Sequence, residues 1–118
     1  ASAGHDPAIW YHAETGKFTS MENTGMPLGI MEDTQFDQAD PVRLQVGDIV
    51  VIGTDGIWEA HNTSGKMYGK ERLLDLISVN KGKAAREIAS SVIDSVLEFC
   101  SNTAPADDVT LLVIKCTE

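Results

Sequence analysis

Two acidic positions bracket the two most apolar stretches of the chain. Asp55 directly follows IVVIGT, and the pair Asp107-Asp108 directly precedes VTLLVI. If those stretches are neighbouring antiparallel strands, the carboxylates meet at one edge of a sheet. Carboxylates held together repel one another and resist desolvation, so such a cluster is easiest to explain with cations between its members. Oxygen donors without His or Cys suit hard ions such as Mg²⁺ or Mn²⁺. The residues alone leave a plainer alternative open, in which Asp55 caps a short helix and Asp107 closes a turn.

The remaining reactive residue types give less. His12 and His61 read as solvent-facing or hydrogen-bonding groups, and Asp48, after Gly47, reads as a turn former. Trp10, Trp58 and Tyr68 read as packing residues. Cys100 and Cys116 lie in apolar contexts without a CxxC or His-spaced pattern, which predicts buried thiols and suits a reducing cytoplasm. No Ser-His-Asp or reactive-cysteine signature is visible.

The elements that must position the acids follow from periodicity. Residues 8–11 (AIWY) pass through 13–16 (AETG) into 17–22 (KFTSME), which predicts a β-hairpin. Two Gly and a Pro make 23–31 a loop, and 34–40 (TQFDQAD) is predicted as an edge strand. Residues 49–52 (IVVI) are the central strand, buried on both faces and ended by 53–56 (GTDG). A short helical piece at 57–60 precedes a helix over 70–79. A longer helix over 84–100 carries Ile88, Val92, Val96 and Phe99 on one stripe. Residues 102–106 form a loop, and 109–114 (VTLLVI) form a strand beside the central one. Strands, two helices and a last strand predict an α+β sandwich rather than repeated βαβ units.

Charge narrows the partners. Among 118 residues, 18 acids oppose 9 bases, and the bases are scattered, so the net charge of −9 repels a polyanion and argues against nucleic acid. No apolar run approaches the roughly 20 residues of a membrane span, and the opening ASAGHDP lacks the pattern of a signal peptide.

Residues 47–62 (GDIVVIGTDGIWEAHN) and 65–73 (GKMYGKERL) closely resemble the PPM-type (type 2C-like) serine/threonine phosphatases of the bacterial RsbU/SpoIIE group. The pattern there is GD, an apolar strand, TDG, then E-A-x-N and a G-x-x-x-G-x-E-R-L tail. Residues 3–7 (AGHDP), 25–29 (GMPLG) and 107–111 (DDVTL) resemble that group's A-G-H-x-P, G-x-P-L-G and D-D-[IV]-T-L segments, in the same order. Together the motifs cover nearly the whole chain.

The resemblance implies a two-sheet α-β-β-α sandwich that hydrolyses phosphoserine or phosphothreonine in proteins. In that group two Mn²⁺ or Mg²⁺ ions activate a water, so no side-chain nucleophile is required. By position, Asp55 and Asp107 would be metal ligands. Gly56 would let the backbone approach closely, Asp108 would orient water or its neighbour, and His5 would stand on the substrate side. The group's earlier G-D-[VI]-x-G-H-G segment, with further ligands, has no match here. Residues 1–118 therefore read as the C-terminal half of one phosphatase domain, inactive alone and prone to dimerise through an uncovered face. The resemblance further implies an anti-sigma-factor antagonist as phosphoprotein substrate and a sensor or receiver domain ahead of the phosphatase. The other reading is a noncatalytic pseudophosphatase module that binds a signalling partner.

Overall fold

The hairpin pairs β1 (Ala8–His12) with β2 (Lys17–Met21), and its turn closes where Gly16 N donates to His12 O at 2.8 Å. In the computed structural model, which describes residues 2–102 and 105–118, four further elements follow. These are β3 (Ile49–Gly53), α1 (Lys70–Val79), α2 (Ala85–Phe99) and β4 (Leu111–Lys115). The strands make one antiparallel sheet of order β2-β1-β3-β4. Tyr11 lies opposite Ile49 and Trp10 opposite Val50, while Val51 faces Val113 and Gly53 faces Leu111.

Alternation along the strands then assigns two faces. Tyr11, Ile49 and Val51 look toward the helices and pack with Leu73 and Ile77 of α1 and Ile88, Val92 and Val96 of α2. These helical positions recur at steps of three and four, the spacing that aligns one stripe of a helix with a sheet. Each aliphatic side chain so buried stabilises the fold by about 1.5–3 kcal/mol. The helix ends are held locally: Glu87 accepts from Ala84 N at 3.0 Å, and Asn80 Nδ2 donates to Leu76 O at 2.8 Å.

Three expectations need correction. Residues 34–40 form no strand. Ala39, with Val42 and Leu44 just after it, borders a cavity on the outer sheet face together with Val50, Ile52 and Ile114, and residues 34–40 join no strand ladder. Residues 57–60 form successive turns instead of a helix, with Ile57 N bonded to Thr54 O and Glu59 N to Asp55 O. The helix cannot continue because the carbonyls of Trp58 and Ala60 are already taken by Gly69 N and Tyr68 N. Cys100 is buried as expected, whereas Cys116 near the chain end is only half-buried.

The packing expectations for Tyr68 and Trp58 hold. Tyr68 is buried with its hydroxyl 2.8 Å from Ser95 Oγ, and Trp58 packs against the core. His12 bonds Thr19 and His61 is exposed. Of the predicted 102–106 loop, Thr103 and Ala104 lie outside the described residues. Among the described residues, no helix is long and apolar enough to cross a membrane.

Candidate metal centre

The pairing of β3 with β4 sends the end of one strand past the start of the other. Beyond the last ladder pair, Gly53 with Leu111, Thr54 N donates to Thr110 O at 3.1 Å. The Thr54 hydroxyl accepts from Thr110 N at 3.0 Å and donates to Asp108 O at 3.3 Å. Asp55 follows at once on one side and Asp107-Asp108 precede on the other, so the backbones of the two acidic segments are neighbours, while their side chains border different clefts.

Gly56 is where the two segments press together. A Cβ built there would lie 2.2 Å from the Asp108 carbonyl oxygen and 3.5 Å from that of Asp107. A side chain would push the main chains apart, so glycine is required by close approach rather than by turn conformation. Asp107 Oδ1 accepts from Asp108 N at 2.8 Å, which fixes the carboxylate of Asp107 to the amide of the next residue.

Asp55 is exposed and borders a polar cleft of about 220 Å³ with Gly4, His5, Asp6, Gly53 and Thr54. Asp107 and Asp108, also exposed, border a different cleft against Ile93, Val96 and Leu97 of α2. His5 thus shares a cleft with Asp55, and its Nδ1 lies 2.8 Å from Asp6 O. The segment of His5 is anchored on two sides. A Cβ at Gly4, whose φ is +79°, would lie 2.3 Å from the Pro27 ring, and Asp6 pairs with Lys70 at 3.6 Å. That ion pair is half-exposed and contributes about 0–1 kcal/mol, so it steers the segment more than it stabilises it.

The donors present are carboxylate oxygens, which fits a hard divalent cation. Among the described residues, however, no group of three or more His, Cys, Asp or Glu could hold an ion by itself. Asp55 and Asp107 are therefore suited to be part of a ligand set and are not a complete one.

Asp48 is excluded from that set by its surroundings. It is 3% exposed, and its carboxylate accepts from Trp10 Nε1, Ala13 N and Gln45 N at 3.1, 2.9 and 3.0 Å. Burial pushes its pKa up, but the bonds from Gln45, Ala13 and Trp10, with His12 adding a smaller attraction, outweigh burial and hold it below the ordinary aspartate value. It is the turn former the sequence predicts, and also the knot that ties β1 to the entry of β3. Sequence reasoning missed Thr54. The available signal was a threonine in each motif, TDG and DDVT, placed to meet across the strand pair.

Comparison with known proteins gives consistent matches. The family model described as Stage II sporulation protein E (SpoIIE) matches residues 1–117. Phosphoserine phosphatase RsbU of Bacillus subtilis is 32% identical over 115 residues, which cover 98% of this chain and 33% of that protein. Among solved structures, the SiaA-PP2C domain of Pseudomonas aeruginosa superposes with a TM-score of 0.69 at 18% identity, over 96% of this chain and 44% of that one. The phosphatase domain of SpoIIE from Bacillus subtilis, presoaked in Mn, superposes with a TM-score of 0.67 at 20% identity, over 98% of this chain and 48% of that one. At these identities the structural likeness is one of fold. The chain spans a third of RsbU and less than half of either solved chain.

Proposed function

The chain belongs to the SpoIIE family, and from that premise we propose that it is the C-terminal half of the catalytic domain of a metal-dependent phosphoserine/phosphothreonine protein phosphatase. One observation supports the reading: the pairing of β3 with β4 makes the segment of Asp55 a neighbour of the segment of Asp107-Asp108, with Gly56 close against the Asp108 carbonyl. Asp55 and Asp107 would hold divalent cations together with ligands from the rest of the domain. Mn²⁺ or Mg²⁺ bound there supplies an activated water and offsets charge on the phosphoryl oxygens.

The chain's own residues set the conditions for that chemistry. Neighbouring carboxylates repel a phosphate dianion, so Asp55 and Asp107-Asp108 would admit one only with their charge neutralised. Asp108, carried on the backbone that Gly56 and Thr54 contact, orients water or its neighbour at the site edge. His5, in the cleft beside Asp55, meets the substrate side. The substrate is a regulatory phosphoprotein of the anti-sigma-factor-antagonist kind, a sensor or receiver domain precedes the phosphatase, and the enzyme works in the cytoplasm. The name of RsbU, a phosphoserine phosphatase, supports the phosphoserine preference.

The test is Mn²⁺-dependent hydrolysis of p-nitrophenyl phosphate and a phosphoserine peptide by the full-length parent. Asp55→Asn in the parent should lower turnover by about a hundredfold or more, since loss of even an outer partner of a metal ligand costs about ten- to hundredfold. Residues 1–118 alone should be inactive. A folded, Mn²⁺-loaded parent that hydrolyses neither substrate would refute the enzyme reading and favour a noncatalytic binding module.

A further inference from the structure

Thr54 stands at the point where regular pairing of β3 and β4 has ended and the acidic residues have not yet begun. The ladder's last pair is Gly53 with Leu111, and from Thr54 the chain turns away through Asp55 and Gly56. One main-chain bond, Thr54 N to Thr110 O at 3.1 Å, still joins the strands beyond that pair, but it does not reach Asp108. The Thr54 hydroxyl extends the link to Asp108, because it accepts from Thr110 N at 3.0 Å and donates to Asp108 O at 3.3 Å. A hydroxyl carries one donor and two acceptor sites, so one side chain can hold both groups at once. The same Asp108 carbonyl is confined by Gly56, where a Cβ would come within 2.2 Å. The backbone of Asp108 is thus contacted from both sides of Asp55.

We propose that Thr54 is a positioning residue: its hydroxyl clamps the Asp108 backbone to the end of β3, sets the separation of Asp55 from Asp107, and through that separation sets metal affinity. Thr54 touches neither substrate nor phosphate in this role. The inference rests on the proposed reading of Asp55 and Asp107 as metal ligands.

The experiment measures Mn²⁺ binding to the full-length parent directly, from the electron paramagnetic resonance signal of free Mn²⁺, beside the metal-free melting temperature. Four proteins are compared: the unchanged parent, Thr54→Val, Thr54→Ser and Asp55→Asn. Thr54→Val keeps the shape and removes the hydroxyl, and should weaken Mn²⁺ binding about ten- to hundredfold, the range for a partner that orients a metal ligand. Saturating Mn²⁺ should return most of its turnover, and Thr54→Ser should bind like the parent. If Thr54→Val does not fold, Thr54→Ala takes its place with the same expectation. Unchanged binding in the folded variant, or equal weakening in Thr54→Ser, overturns the inference while the response of Asp55→Asn leaves the metal reading standing. A parent that binds no Mn²⁺ overturns both.

Discussion

Asp48 and Gly56 show how much two residues can decide without reacting. The Asp48 carboxylate is buried and bonded by Trp10, Ala13 and Gln45, and its pKa is held below the ordinary value. A carboxyl depressed on folding contributes stability that is present in full above the unfolded pKa and disappears as pH falls through the folded one. Asp48→Asn should therefore cost about 1–3 kcal/mol at pH 7, because the amide cannot accept all three donors as an anion does. The gap to the unchanged chain should shrink below about pH 4, where the unfolded carboxyl protonates. Urea unfolding at both pH values checks this, and a gap independent of pH would show that the charge is not what matters. Gly56→Ala makes a different prediction. With the Asp108 carbonyl 2.2 Å from the new Cβ, the strand ends must separate, so Mn²⁺ binding by the parent should fall about tenfold or more. Calorimetric titration should detect that loss at temperatures where circular dichroism still reports folded protein.

The helices carry the sheet, and α2 carries most of that load. Ile88, Val92 and Val96 form its buried stripe, and Ile88 is fully buried. Ile88→Ala should destabilise the fold by about 2–5 kcal/mol through lost transfer energy and the cavity left behind. Thermal unfolding of the parent measures it, and a loss under about 1 kcal/mol would mean that the stripe can collapse onto the gap. This stripe was legible in the sequence because helical periodicity is a local signal that packing then reinforces. Both β3 and the hairpin were legible for the same reason, as was the approach of the Asp55 segment to the Asp107-Asp108 segment, which follows once two apolar runs are paired antiparallel. Residues 34–40 were misread because weak alternation resembles a strand whether or not a partner edge is free, and the segment pairs with none, with only Ala39 of it bordering the cavity on the outer sheet face. Residues 57–60 were misread because their carbonyls bond residues 68–69, a choice made by tertiary contact that no local pattern records. Thr54 was invisible for the same kind of reason: its role depends on Thr110 and Asp108 across the sheet.

At the scale of the whole molecule, the sheet has a covered face and a partly bare one. Leu112 and Ile114 on the outer side of β4 are 51% and 43% exposed, although the central Val50 is buried. β2 and β4 are the edges of the described sheet, and unpaired edges beside an apolar face favour self-association. Opposing this is a net charge of −9, which repels a second copy at a distance. The two effects respond oppositely to salt. Screening shortens the repulsion to about 10 Å at 0.1 M and about 3 Å at 1 M ionic strength, while burial of aliphatic side chains keeps its strength. Residues 1–118 by themselves should therefore be monomeric when dilute at low salt and associate as protein concentration and salt rise, read as an increase in sedimentation coefficient. Leu112→Lys combined with Ile114→Lys should suppress that rise although it makes the chain less negative. If charge alone set the behaviour, this variant would associate more readily than the unchanged chain. If the double variant associates as before, the contact lies elsewhere, and Leu28 and Ile30, 74% and 63% exposed in the loop that crosses from β2 to β3, are the next residues to change. Suppression by the double variant would instead locate self-association on the outer sheet face, the surface that a two-sheet sandwich covers with its other sheet.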